Sequence, residues 1–328
     1  MAHQKILAEL DQRRSRASQM GGEKKLSKRK SNGDLNAEER LEKLVDEDTF
    51  IELGLLGASA VFEHDIDKTP RDGKIVGFGQ VEGRDVGVVV NDFTTKGAST
   101  SATNSKKMGY IRKTCTERGM PFIHVGESTG ARLPDAMGSR GMGQLMGNDV
   151  SQFTRTRETP WAAAALNTSF GSSAWLCCIS DFSVMKKGSV MSVSSPRLVS
   201  MAIGEEVDLE ELGGWRLHAE QTGLIDQFVD TDEEAMLALR AFISFMPNHN
   251  GELPPDTAIP DGSGSNQEQI LEILPEKRTQ VYNIKKIITV IVDTNSFFEI
   301  KPRFGKSLVV GLARLQGKVI GIIANNPI

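Results

Sequence analysis

Two segments of this 328-residue chain repeat each other in sequence. Asp46 to Glu52 (DEDTFIE) is similar to Asp293 to Glu299 (DTNSFFE), and the segment 77–91 aligns without a gap with the segment 311–325. The aligned positions include three glycine pairs, at 77/311, 83/317 and 87/321, and an asparagine at the end of each copy. Such self-similarity indicates a duplicated domain. Because the first copy is followed by a long α/β segment, we expect a complete first domain and a second domain that is only begun.

The repeat sets the predicted domain boundaries. Residues 1–45 are polar, with a helical pattern, and residues 46–250 form the first domain. Residues 251–270, rich in Pro, Gly, Ser and Asp, are predicted to be a linker, and residues 271–328 the start of the second domain. Within each copy, two apolar runs flank a short Gly-containing turn, which predicts a β-hairpin.

The segment Pro121 to Gly138 predicts a buried strand, a small-residue turn and a helix start. Phe122, Ile123 and Val125 supply the strand, and the turn leads to Pro134, a residue that suits the first turn of a helix. Free backbone N–H groups and the helix dipole would meet in this turn, which suits an anion or a developing oxyanion. An ordinary strand-to-helix connection without a ligand is the alternative.

A second segment, Ala162 to Ser180, has the same character. The apolar run Ala162 to Leu166 is followed by a turn that contains Gly171, and then by a helix capped by Ser172 or Ser173. Two such turns on neighbouring strands could each donate one hydrogen bond to a thioester oxygen, which is how an enolate is held. The spacing alone does not distinguish this arrangement from two routine turns.

Composition narrows the function classes. The chain is 39% hydrophobic and 25% charged, and its net charge is −4, which argues against a nucleic-acid partner. No run is long and apolar enough to predict a membrane span, and three cysteines indicate buried thiols in a reducing compartment, so we expect a cytoplasmic protein. No metal-ligand cluster is visible. The basic run 24–30 is predicted to be a solvated linker.

From about residue 20 onward the chain resembles the carboxyltransferase (beta) subunit of biotin-dependent acyl-CoA carboxylases, the group that acts on propionyl-, acetyl- and methylcrotonyl-CoA. Five motifs carry most of the resemblance: Ala37-Glu-Glu-Arg-Leu41, Asn91-Asp-Phe-Thr94, Ser128-Thr-Gly-Ala-Arg132, Glu210-Glu-Leu-Gly-Gly214 and Phe297-Phe-Glu-Ile300. The resemblance implies an α/β, crotonase-like (ClpP/crotonase) superhelix of ββα units. It also identifies the chain as a C-terminally truncated member, with the first domain complete and the second only begun.

The resemblance implies a transferase mechanism. Carboxybiotin, delivered on a carrier protein and not attached to this chain, donates the carboxyl group to the α-carbon of a short acyl-CoA through an enolate. By position, Thr129 and Gly130 stand where the family has a Gly-Gly pair of oxyanion donors, and Gly171 and Ser172 stand where it has a second Gly pair. The implied CoA-binding residues are Lys96, Gly97, Ala98, Ser99, Ala131 and Arg132. The implied partners are a biotin carboxylase or biotin carboxyl carrier subunit and further copies of the chain.

Two other classes of function stay open at this stage. One is a non-catalytic remnant or assembly subunit that retains CoA binding, and the other is a crotonase-type acyl-CoA decarboxylase or hydratase. A hydratase needs carboxylates beside the turns, and Glu127 and Asp135 flank the first turn, where we expect a cap or a solvated charge. A half-built second repeat would also expose apolar surface, so association or poor solubility is expected.

Overall fold

The computed structural model describes residues 2–59, 63–136, 158–265, 267–277 and 279–328. The last two residues of the predicted strand–turn–helix segment 121–138, and residue 266 of the predicted linker, lie outside the described residues. The strands are β1 (Ile51–Leu53), β2 (Lys74–Val81), β3 (Arg84–Asn91), β4 (Phe122–Thr129), β5 (Trp161–Phe170), β6 (Phe182–Lys186), β7 (Val190–Ser192), β8 (Gln227–Val229), β9 (Phe298–Ile300), β10 (Leu308–Leu315) and β11 (Lys318–Asn325). The α-helices are α1 (Ala2–Ser18), α2 (Glu23–Ser31), α3 (Ala37–Leu44), α4 (Ala102–Arg118), α5 (Leu133–Ala136), α6 (Ser172–Ile179), α7 (Pro196–Ile203), α8 (Leu209–Gly213), α9 (Asp232–Phe245), α10 (Gln269–Ile273) and α11 (Ile284–Ile291).

An eight-stranded sheet organises most of the chain. Its order is β1-β2-β3-β4-β5-β6-β8, and β7 pairs with the far end of β5. The strands β1 to β3 run antiparallel, whereas β3, β4, β5, β6 and β8 run parallel, each reached through a helical connection. In this topology the carboxyl ends of the parallel strands share one edge, where ligand sites of α/β proteins form.

Both faces of this sheet are buried. Successive side chains of a strand point to opposite faces, so each strand contributes side chains to both layers. Val86, Val88 and Val90 of β3 pack on the face covered by α3 and α9, whereas Val89 packs on the opposite face with Met108 and Ile111 of α4. Residues from β4, β5 and β6 continue both layers. The buried runs of the sequence therefore read as continuous apolar stretches, as parallel strands require.

The duplication inferred from sequence is reproduced in hydrogen bonds. Glu52 of β1 pairs with Gly77, and Glu299 of β9 pairs with Gly311, so each copy is a three-stranded unit with the same register. In the first copy the Asp46 carboxylate accepts the N–H of Gly83 at 2.8 Å. In the second copy Asp293 accepts the N–H of Gly317 at 2.7 Å. The aspartates repeat because each one ties its hairpin turn to the segment before the first strand.

Gly77 and Gly311 share a steric reason for being glycine. A Cβ atom at Gly77 would lie 2.2 Å from the Ile51 carbonyl oxygen, and one at Gly311 would lie 2.5 Å from that of Phe298. At this point the short first strand of each copy pairs with the first strand of the hairpin, and its carbonyl oxygen occupies the space that a side chain would need. The described residues of 251–268 contain no helix or strand, and the domain boundaries predicted from the sequence stay predictions.

The basic run 24–30 is part of α2 and not a solvated linker, so that prediction is wrong. The helix begins at Glu23, and the Lys25 ammonium donates to the Thr94 carbonyl oxygen at 2.6 Å. Arg29 from the same run is buried and reaches β4. The sequence could not show this burial, because nothing in a run of basic residues distinguishes the single arginine that has a buried partner from the lysines around it.

No helix in the described part of the chain has the length and apolarity needed to cross a bilayer.

Candidate active site at two strand-to-helix turns

The two predicted turns lie side by side at one edge of the large sheet. β4 and β5 are neighbouring parallel strands, and their pairing continues to Thr129 opposite Phe170. The register shifts between Gly126 and Ser128, because β5 carries extra residues there. Asn167 lies in this irregularity with a φ of 49°, and it donates to the Glu127 carboxylate at 3.1 Å. The bulge bends β5 so that its end meets the end of β4.

Gly130 and Gly171 are the closest contact between the turns. Their φ angles are 96° and 62°, a region that favours glycine. A Cβ atom at Gly171 would lie 3.2 Å from the Gly130 Cα. The predicted site residues Thr129, Gly130, Gly171 and Ser172 are therefore brought together. Thr129 keeps the extended backbone of β4, so a β-branched residue fits there without strain.

Gly171 is the N-cap of α6, and no side chain caps this helix. The prediction that Ser172 or Ser173 is the cap is therefore wrong. The two hydroxyls have other partners: Ser172 Oγ lies 2.8 Å from Thr100 Oγ1, and Ser173 Oγ accepts from Asn91 Nδ2 at 3.0 Å. Both contacts fasten the start of the helix to neighbouring elements, and they leave its first backbone N–H groups free to bind a ligand.

The N–H groups of Ala131 and Ser172 have no acceptor among the described residues. The N–H of Gly130 points instead to Ser128 Oγ at 3.1 Å, and that of Gly171 to the carbonyl oxygens of Ser192, the last residue of β7, and Val193. Each turn therefore contributes one available donor. Ser172 is one of the predicted site residues, whereas Ala131 was predicted only as a CoA-binding residue, because the partner of each N–H is set by the folded neighbours.

The predicted CoA-binding loop lies directly beside the first turn. Gly97 has a φ of 62°, and a Cβ atom there would lie 2.7 Å from Thr129 Cγ2. Thr100 N–H donates to the Gly130 carbonyl oxygen at 2.8 Å, and Arg132 N–H donates to the Thr100 carbonyl oxygen at the same distance. The backbone bridge between 100 and 131 joins the loop to the turn. Lys96 and Ala131 are exposed at this surface, whereas Ala98 and Ser99 are buried beneath it.

Arg132 differs from the other predicted CoA-binding residues because its guanidinium group faces the protein interior. Nη1 lies 2.5 Å from the Asp72 carboxylate, and Nε lies 3.2 Å from Ser99 Oγ. The side chain is 8% exposed. In this structure Arg132 supports the loop from below.

Glu127 is neither a cap nor a solvated charge, so that expectation is wrong. Its carboxylate is buried and bonds Arg29 Nη1 and Nη2 at 2.9 Å and Arg40 Nη1 at 2.6 Å. Burial by itself would raise the pKa of Glu127, but the Arg40 and Arg29 guanidinium groups hold that pKa below its usual value. Arg40 also bonds Asp232 of α9 at 2.7 Å. The network therefore ties the N-terminal helices and α9 to the strand that ends at the first turn.

Asp135 is also buried, and it accepts the N–H of Ala102 at 3.4 Å at the start of α4. Asp135 is not the cap of α4, since Ser101 is its N-cap and accepts the N–H of Asn104. Burial raises the pKa of Asp135 above its usual value. Among the described residues, no cluster of three or more His, Cys, Asp and Glu side chains could hold a metal ion. The groups that the two turns offer to a ligand are the backbone N–H groups of Ala131 and Ser172, beside Gly130 and Gly171.

Comparison with known proteins agrees with this geometry. The propionyl-CoA carboxylase beta chain of Roseobacter denitrificans is 30% identical over 327 residues, covering 98% of this chain and 64% of that protein. The methylmalonyl-CoA decarboxylase subunit alpha of Veillonella parvula is 28% identical over 313 residues, covering 94% of this chain and 60% of that protein. The chain thus spans about three fifths of the length of these relatives.

A solved structure of transcarboxylase 12S, described as a hexamer with hydrolysed methylmalonyl-coenzyme A bound, superposes with a TM-score of 0.88 at 29% identity. The match covers 98% of this chain and 64% of that one. This superposition and the mixed sheet confirm the predicted crotonase-like α/β fold. The carboxyl transferase domain family matches residues 28–328, and the chain therefore belongs to that family.

Proposed function

We propose that this chain is the carboxyltransferase component of a biotin-dependent acyl-CoA carboxylase, and that it binds the acyl-CoA substrate. The observation that carries the proposal is the convergence of two strand-to-helix turns, in which Gly130 and Gly171 touch and the N–H groups of Ala131 and Ser172 have no acceptor among the described residues. Family membership over residues 28–328 supports the same reaction class.

In this proposal the thioester oxygen of the acyl-CoA lies between the two turns. Transfer of a proton from the acyl α-carbon to the biotin nitrogen that has released the carboxyl group would move negative charge onto that oxygen, and the N–H groups of Ala131 and Ser172 would stabilise it. The N-terminus of α6 adds its positive dipole potential. Carboxybiotin on a carrier protein supplies the carboxyl group that the α-carbon receives. Residues of this chain hold and polarise the thioester, and no side-chain nucleophile is needed.

The remainder of the CoA molecule is assigned to the loop 96–99 and to the exposed surface beside it. Lys96 is 41% exposed and lies 3.2 Å from the Asp65 carboxylate, so its ammonium group can turn towards a phosphate. The positive φ angles of Lys96 and Ala98 hold the loop in a tight turn against Thr129. We propose Lys96 as a phosphate contact, and Gly97 as a position that lets the ligand approach the backbone.

Decarboxylation of a short carboxyacyl-CoA is a second candidate, favoured by the similarity to a methylmalonyl-CoA decarboxylase subunit alpha. The same two N–H donors would stabilise the same enolate, now formed by loss of CO2. The reactions differ in the direction in which the carboxyl group moves, so incubation with methylmalonyl-CoA or with propionyl-CoA and a carboxylated carrier separates them.

The proposal includes a biotin carboxylase or biotin carboxyl carrier subunit as partner, and further copies of the chain. It also includes a cytoplasmic location. Cys115 and Cys177 are buried, whereas Cys178 is exposed, so the prediction of buried thiols is wrong for Cys178. All three are free thiols, which supports a reducing compartment. The carrier must bring carboxybiotin to the edge of the sheet at which β4 and β5 end.

The first test is calorimetric binding of acetyl-, propionyl- and methylcrotonyl-CoA to the wild-type protein and to Gly171→Ala. We expect saturable binding by the wild type and at least tenfold weaker binding by the variant, because the new Cβ would lie 3.2 Å from Gly130 and fill the space between the turns. Gly188→Ala is the matched control. Its φ is also positive, at 78°, but nothing lies within 4 Å of the added Cβ.

Equal binding by Gly171→Ala and Gly188→Ala would contradict the proposed site, because both substitutions replace a glycine of positive φ and only one blocks the turns. Absence of binding to folded wild-type protein would contradict the proposed function itself. Gly130→Trp, which places an indole ring in the same space, should abolish binding altogether.

A further inference from the structure

Lys74, the first residue of β2, is buried with no exposed surface, directly beneath the two turns. Its ammonium group donates to Asn91 Oδ1 at 2.9 Å and to the Ala98 carbonyl oxygen at 3.2 Å. Both of these acceptors are neutral. A fully buried cation bound to neutral acceptors is costly, so its presence calls for a reason other than packing.

One chain of hydrogen bonds connects Lys74 to the second turn. Asn91 accepts from Lys74, and its Nδ2 donates to Ser173 Oγ at 3.0 Å. Ser173 is the second residue of α6, next to the free N–H of Ser172. Asn91 Nδ2 also lies 3.2 Å from the Glu127 carbonyl oxygen in β4. A single amide side chain therefore carries the contact from the lysine to the start of the helix.

A second chain connects Lys74 to the first turn. The Ala98 carbonyl oxygen that accepts from Lys74 also accepts from Ser128 Oγ, at 3.2 Å in both cases. Ser128 Oγ in turn accepts the N–H of Gly130 at 3.1 Å. Ala98 also belongs to the predicted CoA-binding loop. The ammonium group of one lysine therefore holds the loop and the first turn together, in addition to the second turn.

The charged groups that face Lys74 come from every element packed against it. The charged ones are Asp72 in the turn before β2, Lys107 on α4 and Arg132 after β4, and the titratable ring of His124 on β4 also faces Lys74. Burial, opposed by Asp72 and helped by Arg132 and Lys107, lowers the pKa of Lys74 to about 7. The pKa of His124, which is fully buried, lies well below its usual value, so this ring is neutral and does not titrate together with the lysine.

We propose that Lys74 is a positioning residue of the acyl-CoA site: its two N–H bonds fix both turns, and in its protonated form it lends positive potential to the thioester oxygen. The inference rests on the proposed function, because it needs the turns to bind that oxygen. Lys74 touches neither the ligand nor the free N–H groups, and it acts through Asn91, Ala98 and the residues bonded to them. Protonation of Lys74 should therefore control the preference for a ligand that has a carbonyl oxygen.

The test compares propionyl-CoA with S-propyl-CoA, a thioether that has the same carbon chain without the carbonyl oxygen. Calorimetry from pH 6 to pH 9 gives the ratio of their dissociation constants, in which contributions from the CoA phosphates cancel. For the wild type we expect a preference for propionyl-CoA of about tenfold at pH 6 that falls to about twofold at pH 9. For Lys74→Met we expect a preference near twofold at every pH.

Lys107→Met is the matched control, because Lys107 is a partly buried lysine that bonds the backbone carbonyl oxygens of Arg71 and Lys74 instead of the chains to the turns. Its charge lowers the pKa of Lys74, so its removal should shift the pH midpoint upward and keep the preference. Ser173→Ala, a small change that cuts only one chain, should reduce the preference at pH 6 and keep some pH dependence.

The outcomes separate the two levels of the proposal. A preference for propionyl-CoA that is the same at pH 6 and pH 9, or that survives unchanged in Lys74→Met, overturns the role of Lys74 and leaves the proposed function standing. Equal affinity for propionyl-CoA and S-propyl-CoA at all pH values, or binding of neither, overturns the proposed function. Circular dichroism of each variant at both pH values confirms that the comparison is made on folded protein.

Discussion

Several charged side chains of this protein are buried inside the fold. Arg40 is 1% exposed and is shared between Glu127 of β4 and Asp232 of α9, and Lys186 of β6 bonds the same aspartate at 2.7 Å. Breaking a buried pair by removing one partner typically costs about 3–5 kcal/mol, because the remaining charge stays buried. These side chains position the end of β4, so the geometry of the first turn depends on residues of three other elements.

Lys74 should make the free energy of unfolding depend on pH. Its pKa is about 7 in the folded protein and near 10.5 in the unfolded chain, so between these values the unfolded state binds more protons. The contribution of Lys74 is therefore most unfavourable below pH 7 and becomes less unfavourable, by about 1.4 kcal/mol per pH unit, as the pH rises towards 10. We expect the stability of Lys74→Met relative to the wild type to be greatest at pH 6 and to decline by pH 10.

Urea unfolding at pH 6, 8 and 10 measures this difference. Lys107→Met is again the control. Burial lowers the pKa of Lys107 to about 8, so its removal should cancel a pH dependence of the free energy of unfolding that begins about one pH unit above that of Lys74. A difference between wild type and Lys74→Met that is constant across the three pH values would mean that Lys74 has the same charge in the folded and in the unfolded protein throughout, contrary to the structure.

At the scale of elements, the two copies of the hairpin have the same register but different surroundings. Gly87 of β3 faces α4, and a Cβ atom there would lie 2.1 Å from Cys115 Sγ. Its counterpart Gly321 of β11 has nothing within 4 Å. The first hairpin is therefore covered by a helix on a face that is open in the second, as far as the described residues go. The repeated glycine has a steric reason in one copy only.

This asymmetry predicts opposite outcomes for two equivalent substitutions. Gly87→Ala should lower the free energy of unfolding by about 1–3 kcal/mol, because the methyl group overpacks the space between β3 and α4. Gly321→Ala should leave it unchanged or raise it slightly, since alanine costs less backbone entropy than glycine in a strand. Chemical denaturation of both variants measures the pair, and equal losses in the two would show that the open face is covered in solution.

At the scale of the whole molecule, many apolar side chains remain exposed, including one on an edge strand and three on a single helix. Ile323 of β11 is 80% exposed, and α7 carries Leu198, Met201 and Ile203 at 58%, 72% and 57%, with no buried residue of its own. β11 is also an edge strand of its three-stranded sheet. Exposed apolar surface of this kind on an edge strand marks an association site.

We therefore expect the protein to self-associate in solution, and Ile323→Lys to reduce that association. A charge on an exposed edge opposes strand-to-strand pairing and costs little in a monomer. Light scattering over a concentration series measures the mean mass of wild type and variant. Leu271→Lys is the control, since Leu271 is 78% exposed on α10, away from the edge strand. An unchanged mass for Ile323→Lys would place the association surface elsewhere, with α7 as the next position to test.

The sequence by itself determined the elements and their repetition. The spacing of Gly77, Gly83 and Gly87 against the second copy predicted a duplication that the register of β1–β3 and β9–β11 reproduces. The two strand–turn–helix segments were predicted from local patterns of apolar and small residues, and both are present. These features can be recognised locally, because apolar periodicity and the positions of turn residues are visible along a short stretch of sequence.

Tertiary structure alone decided which groups can act. Among the predicted donor positions, Gly130 donates its N–H to Ser128 Oγ and Gly171 donates to the carbonyl oxygens of Ser192 and Val193. The predicted Ser172 and Ala131, which was predicted only as a CoA-binding residue, are the donors with no acceptor among the described residues. In the sequence Lys74 is an ordinary lysine at the start of a strand, and only the tertiary structure buries it beneath the site. The physical reason is common to both cases. The hydrogen bonding and the pKa of a polar group depend on its partners and on the exclusion of water, and residues far away in the chain provide both.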